Sequence, residues 1–114
     1  MKIYHNPRCG KSREALSILQ QKTGDIQVIE YLKNTPTETE LRELLAKLGM
    51  KPFDLIRKGE AIYKEQFKGK ELSDDEWIKI LVANPILIER PIIVKGDKAV
   101  VARPPERVSE LFSD

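Results

Sequence analysis

The sequence predicts an α/β domain: a four-stranded mixed sheet with flanking helices and a helical insertion between the second and third strands. Two short extended segments, 2–5 and 26–32, are separated by one helical segment. A short helical crossover makes two such strands parallel neighbours. Near the C-terminus, segments 92–95 and 98–102 flank Gly96-Asp97, which is a good two-residue hairpin turn. The residues between the two strand pairs predict helices.

Most of the predicted helices have recognisable start or stop signals. The first begins at about Lys11 and stops near Gly24. The next two long helices begin at the capping boxes Thr37-Glu-Thr-Glu40 and Ser73-Asp-Asp-Glu76, each followed by apolar residues at helical spacing. The predicted helical segments, in chain order, are 11–22, 37–48, 52–57, 60–68, 73–83 and 104–112.

Composition limits the class of protein. The length of 114 residues predicts one domain over residues 1–114, and no apolar stretch is long enough to span a bilayer. A net charge of +2, with acids interspersed among the basic residues, is no nucleic-acid footprint. One cysteine cannot form an internal disulfide, and one cysteine with one histidine makes a metal site improbable. We expect a cytoplasmic monomer that binds no membrane, nucleic acid, metal or resident cofactor.

Cys9 is the candidate nucleophile. It lies where the first strand turns into the first helix, with Arg8, Lys11 and Arg13 close in sequence. Free backbone N–H groups and the positive end of the helix dipole favour a thiolate at such a position, and they also favour an oxyanion. A lone cysteine is more often a small buried hydrophobe, but the polar neighbours on both sides favour the reactive interpretation.

Three better-known motifs around Cys9 are incomplete. A phosphate-binding P-loop needs a glycine where this chain has His5, and a phosphotyrosine-phosphatase loop needs an arginine where it has Ala15. Dithiol redox chemistry needs a second cysteine at position 12, which is Ser12. If Cys9 performs redox chemistry, an external thiol must complete the cycle.

The order strand, helix, strand, helical block, hairpin, helix is that of the thioredoxin-like fold, whose reactive position is the start of the first helix. Four sequence blocks add a closer resemblance; they are Ile3-Tyr-His-Asn-Pro-Arg-Cys-Gly-Lys-Ser-Arg13, Leu55-Ile-Arg57, Pro85-Ile-Leu-Ile-Glu-Arg-Pro-Ile92 and Ala102-Arg-Pro-Pro-Glu106. The first block matches an H-x3-C-x3-R signature. Over nearly its full length, the chain resembles the thioredoxin-fold arsenate reductases that are coupled to glutathione and glutaredoxin.

The resemblance implies a role for each matching residue. Cys9 would attack arsenic, while Arg57, Arg90 and Arg103 would bind the oxyanion. Planar guanidinium groups suit bidentate contact with a multiply charged tetrahedral anion. By the same resemblance, Pro91 occupies the position of the fold's cis-proline, beside the reactive cysteine.

Three further residues have open roles at this stage. Ser12 could donate a hydrogen bond to the thiolate, or it could cap the helix. His5 is expected to organise the loop rather than to act as an obligatory base, because a low-pKa thiolate needs none. Arg13 could face the anion or simply lie on the solvated surface of its helix.

The resemblance also implies the reaction partners. Arsenate would be the substrate, glutathione the co-substrate and a glutaredoxin the final thiol donor. Two other classes share this fold. A Spx-type regulator would bind RNA polymerase, but those proteins generally carry a C-x-x-C that is absent here. A monothiol glutaredoxin would hold an iron–sulfur cluster at a C-G-F-S motif, which Cys9-Gly-Lys-Ser12 only partly matches.

Overall fold

Strands and helices follow the predicted order along the chain. The computed structural model describes residues 1–112. Its strands and α-helices are β1 (Lys2–His5), α1 (Gly10–Lys22), β2 (Gln27–Glu30), α2 (Glu38–Leu48), α3 (Asp74–Ala83), β3 (Ile92–Lys95) and β4 (Lys98–Val101). Short helices of other types occupy Pro52–Leu55, Tyr63–Phe67, Pro85–Leu87 and Pro105–Phe112.

The sheet has four strands in the order β2-β1-β3-β4. β1 and β2 are parallel, and β1 lies antiparallel to β3, which is antiparallel to β4. The crossover through α1 explains the parallel pair. The hairpin turns at Gly96, whose φ of 61° is a conformation that glycine adopts at little cost. This arrangement confirms the predicted thioredoxin-like fold with its mixed sheet and helical insertion.

The core beside the sheet is formed by α1 and the C-terminal 3₁₀ helix, Pro105–Phe112. α1 contributes Ala15 and Leu19, and the 3₁₀ helix contributes Val108 and Leu111, all of which are buried. The cluster is completed by the strand residues Ile3, Ile93 and Val100 and by Ala102, which directly follows β4. Burial of these apolar groups fixes α1 against the sheet, and therefore fixes the helix end at which Cys9 lies.

The insertion between β2 and β3 is helical. α2 packs against α3, and both begin at the predicted capping boxes. α2 ends at Gly49, whose φ of 67° is the left-handed conformation of a helix C-cap. Phe53 and Phe67 both pack their rings against Trp77, with centroids 5.3 and 6.3 Å away.

Several predicted boundaries differ from the structure. The second strand is shorter than 26–32 because the N–H groups of Lys33 and Asn34 both donate to the Glu30 carbonyl and turn the chain there. Segment 52–57 contains a 3₁₀ helix that ends at Leu55, and segment 60–68 contains a π-helix. The last helix is 3₁₀ rather than α.

Two compact units divide the chain. The sheet unit comprises residues 1–34 and the segment from Arg90 on, and the helical unit comprises Thr35–Glu89. Because the sheet unit draws its strands from both ends of the chain, the helical unit is an insertion within it. The expectation of a single domain over residues 1–114 stays a prediction, and its last two residues lie outside the described range.

Candidate active site

A tight turn delivers Cys9 to the start of α1. The Cys9 amide donates to the Asn6 carbonyl at 3.0 Å, and the Arg8 amide donates to Asn6 Oδ1 at 3.0 Å. Pro7 presets the backbone for such a turn. Cys9 is the N-cap of α1, and its carbonyl accepts the first helical hydrogen bond, from Arg13 N–H at 3.0 Å. Cys9 is partly exposed, and its position at the N-cap places its side chain at the positive end of the helix.

The pKa of the Cys9 thiol is lowered from its usual range. Partial burial raises this pKa, but the Ser12 backbone N–H, the Arg90 side chain and the Lys11 backbone N–H together outweigh the effect. The Cys9 side chain makes no conventional capping hydrogen bond, and the Ser12 N–H is the strongest of the groups that lower this pKa. The thiolate fraction at neutral pH is consequently larger than that of a free cysteine.

Arg90 is the charged neighbour of the sulfur. It is 9% exposed and follows the helical unit, directly before β3. Burial lowers its pKa, yet hydrogen bonds and charge interactions with Cys9 and Tyr31 raise it overall, so this guanidinium stays charged. The Arg90-Pro91 peptide bond is cis.

Arg103 lies at the same end of the sheet as Arg90. Its Nη1 donates to the Arg90 carbonyl at 3.2 Å, and the Ala102 amide donates to the Pro91 carbonyl at 2.9 Å. The Arg103-Pro104 bond is also cis. The structure therefore places Arg90 beside Cys9, and Arg103 against the Arg90 backbone, at one end of the sheet.

His5 and Ser12 are joined to each other rather than to the sulfur. His5 Nδ1 and Ser12 Oγ are hydrogen-bonded at 2.7 Å, and the Asn6 amide donates to the same Oγ at 3.1 Å. Burial lowers the pKa of His5, Glu30 raises it and Arg13 lowers it, with a net decrease that favours the neutral ring. The geometry fits a histidine that holds the loop.

The structure revises the alternatives for Ser12 and Arg13. Ser12 is inside α1, so it is not the cap, and its backbone N–H rather than its hydroxyl faces the sulfur. Arg13 Nη1 donates to the Pro7 carbonyl at 3.0 Å, which ties the turn to the helix. Arg13 is exposed, which agrees with the surface alternative, and its contact with the turn is one that neither alternative included.

Arg57 belongs to the helical unit. Its amide donates to the Leu87 carbonyl at 2.7 Å, and its Nε lies 3.2 Å from a carboxylate oxygen of Glu60. Both side chains are largely buried, with 21% and 26% exposure. The predicted contact of Arg57 with an anion therefore stays a prediction.

Two residues near the thiol were not among the sequence candidates. Tyr31 is 1% exposed and interacts with Arg90, whereas the sequence indicated only a strand residue. Asn6 was recognised as a turn former, but its amide, carbonyl and side chain each make a hydrogen bond that shapes the Cys9 loop. The sequence feature that could have indicated Tyr31 is its position just after β2, which ends on the same side of the sheet as the Cys9 turn.

Within residues 1–112, no three His, Cys, Asp or Glu side chains are grouped to hold a metal ion. No helix in that range combines the length and the apolar character needed to cross a membrane.

Known proteins are similar to this chain in sequence and in fold. The ArsC family model matches residues 4–111. The uncharacterized protein YfgD of Escherichia coli is 44% identical, over 97% of this chain and 95% of its own length. An arsenate reductase of Haemophilus influenzae is 41% identical, over 96% of this chain and 97% of its own.

A solved structure is similar to this chain over almost its whole length. The arsenate reductase from Vibrio cholerae superimposes with a TM-score of 0.91 at 43% identity, and the match covers 97% of this chain and 98% of that one. The family model, the relatives and the solved structure thus agree over almost the whole length. This chain belongs to the ArsC family.

Proposed function

We propose that this protein is an arsenate reductase in which Cys9 is the nucleophile. The observation that carries the proposal is the Arg90 guanidinium beside the thiol of Cys9, which lies at the N-cap position of α1 and has a lowered pKa. Such a site combines a nucleophile with positive charge, which arsenate requires because it would otherwise repel a thiolate. The names of the similar proteins from Haemophilus and Vibrio support this substrate.

The first chemical step forms a bond between Cys9 and arsenic. The thiolate attacks arsenate, and one oxygen leaves as water after protonation. Arg90, Arg103 and Arg57 would bind the remaining oxygens and neutralise their charge. His5, Ser12 and Arg13 would hold the loop that positions the sulfur.

External thiols then supply two electrons. Glutathione bonds to arsenic through its sulfur and displaces a second water. A glutaredoxin thiolate attacks the glutathione sulfur, the sulfur–arsenic bond breaks, and its electron pair stays on arsenic as As(III). Glutathione and glutaredoxin leave as a mixed disulfide, and water releases arsenite from Cys9. The reaction needs no resident cofactor, and the absence of a second cysteine explains its dependence on outside thiols.

The test is arsenate-dependent NADPH oxidation in the presence of glutathione, glutaredoxin and glutathione reductase. The wild-type protein should turn over only when arsenate, glutathione and glutaredoxin are all present. A thioredoxin system alone should support little turnover, and the Cys9→Ser protein should be inactive although it is folded. Activity in a Cys9→Ser preparation free of contaminating reductase would refute the nucleophile, and full activity with thioredoxin alone would refute the glutathione route.

A further inference from the structure

A cavity lies on the sheet unit next to the Cys9 turn. Its volume is about 280 Å³, and it opens between the turn after β1 and the segment after β2. The seven lining residues are His5, Asn6, Pro7, Arg8, Glu30, Leu32 and Lys33. The carboxyl ends of neighbouring parallel strands commonly form ligand sites in α/β sheets.

The cavity combines apolar wall with charges of both signs. Pro7 and Leu32 provide the apolar surface, and Leu32 is 39% exposed. Arg8 and Lys33 supply positive charge, and Glu30 supplies negative charge. Lys33 Nζ and Glu30 Oε1 are 3.8 Å apart, with side chains that are 78% and 42% exposed. An ion pair with this separation and exposure contributes little free energy. A ligand can therefore replace it at little cost.

Cys9 lies close to this cavity, three residues after the lining residue Asn6. Asn6 lines the cavity, and the hydrogen bond from the Cys9 amide to its carbonyl closes a β-turn. The Cα atoms that such a turn joins are less than about 7 Å apart. An extended tripeptide spans roughly 10 Å. A molecule of that size, held by its ends in the cavity, can therefore present a group to the sulfur.

We propose that this cavity binds a small peptide thiol, with its carboxylates at Arg8 and Lys33 and its ammonium group at Glu30. The assignment rests on the proposed function, in which glutathione attacks the arsenic bound to Cys9. Glutathione carries two carboxylates, one ammonium group and a central thiol, which matches the charges of the cavity. The cavity then determines which external thiol reacts with Cys9.

An exchange reaction without arsenate isolates this subsite. The Cys9 thiolate attacks one sulfur of oxidised glutathione, the disulfide bond breaks, and one glutathione leaves as a thiolate while the other stays bonded to Cys9. Bis(2-hydroxyethyl) disulfide undergoes the same exchange but has no charged groups. The ratio of the two rates, followed by mass spectrometry, therefore measures recognition separately from the reactivity of the thiol.

The decisive variants are Lys33→Glu and Arg8→Ala, with Lys98→Glu as the matched control. Lys98 is an exposed lysine at the start of β4, at the opposite end of the sheet from the Cys9 turn. Lys33→Glu and Arg8→Ala should lower the glutathione rate roughly three- to tenfold and leave the uncharged disulfide rate unchanged. Lys98→Glu should change neither rate, and added salt should reduce the wild-type preference.

Each alternative outcome has a definite meaning. Equal losses with both disulfides would show damage to the thiol and overturn the subsite, as would an equal effect of Lys98→Glu. If these variants keep the glutathione preference while wild-type protein reduces arsenate, the subsite is wrong and the proposed function stands. If the variants lose the preference but wild-type protein reduces no arsenate, the cavity binds peptide thiols for a different reaction.

Discussion

Opposing forces act on the Cys9 sulfur. Burial raises the thiol pKa, while backbone N–H groups and the Arg90 guanidinium lower it. The N–H groups are fixed by the helix, so they are present whenever α1 is formed. Arg90 is different, because its side chain must be held in place. Tyr31, which interacts with the same guanidinium, is the residue placed to hold it.

The Tyr31→Phe variant tests this positioning role. Loss of the hydroxyl should leave the Arg90 guanidinium less well fixed, and the pKa of Cys9 should rise. Tyr31 acts on the sulfur only through the charged Arg90 guanidinium, so we expect an indirect effect of about 1 kcal/mol at most, which lowers the alkylation rate of Cys9 at neutral pH by up to about fivefold. The pH profile of alkylation measures the shift. Tyr63→Phe, at a buried tyrosine of the helical unit, is the control. An unchanged profile in Tyr31→Phe would leave Tyr31 a packing residue only.

The predicted oxyanion arginines should contribute more to catalysis than other arginines of the chain. Replacing Arg57, Arg90 or Arg103 by Ala should lower kcat/KM for arsenate by about one to two orders of magnitude, since each charge-assisted contact is worth roughly 1.5–3 kcal/mol. Lysine at these positions should restore only part of the activity, because it loses the planar fork. Only Arg90→Ala should also raise the pKa of Cys9, since Arg90 interacts with the sulfur.

Two exposed arginines provide the controls for that series. Arg42 pairs with Asp75 at 2.8 Å, and Arg107 pairs with Glu110 at 2.9 Å. Their replacement by Ala should change kcat/KM little, with folding checked by circular dichroism. Equal small effects at all five positions would mean that the arginines supply only general positive charge, and the predicted oxyanion site would be wrong.

At the scale of elements, the helix ends were the most predictable features. The α2 capping box has both of its hydrogen bonds, from the Glu40 amide to Thr37 Oγ1 and from the Thr37 amide to Glu40 Oε1, each 3.1 Å long. Thr-x-x-Glu specifies these bonds locally, without help from tertiary contacts. The π-helix at Tyr63–Phe67 has no such signature, because its register differs from an α-helix by one residue and depends on packing.

Thr37→Ala should destabilise the protein by about 1 kcal/mol, since it leaves helix N–H groups of α2 without an acceptor. Thr39→Ala is the matched control, because Thr39 is an exposed residue within the same helix. There alanine should be neutral or slightly stabilising. Urea unfolding of the two variants measures the difference. Similar stabilities would show that the capping box contributes little to α2.

At the scale of the whole molecule, the lowered thiol pKa links folding to pH. Between the folded pKa of Cys9 and its unfolded value of about 8.5, the unfolded chain binds the extra proton, so stability rises with pH. The stabilisation is complete above the unfolded pKa and is lost as pH falls through the folded pKa. The free energy of unfolding of wild type relative to Cys9→Ser should therefore increase across that interval under reducing conditions. A difference independent of pH would contradict the lowered pKa.

The sequence predicted the sheet, the main helices and the position of Cys9 because local patterns encode them. It could not predict the partners of the Ser12 hydroxyl, since His5 and Asn6 reach it only after β1 and α1 pack together. The contact of Tyr31 with Arg90 joins two distant parts of the chain, and no local pattern specifies it. Reactive positions were thus easier to infer than the groups that hold them.

The strand order has a consequence for synthesis on the ribosome. β1 and Cys9 precede the helical unit, whereas β3, which pairs with the central strand β1, follows it. Arg90 directly precedes β3, so it too emerges late. Until then Cys9 in the nascent chain lacks the Arg90 guanidinium as a neighbour, and a larger fraction of it is in the protonated thiol form. Such a thiol is a poorer nucleophile and a slower target for oxidants, so the growing chain is protected until the strand that completes the sheet arrives.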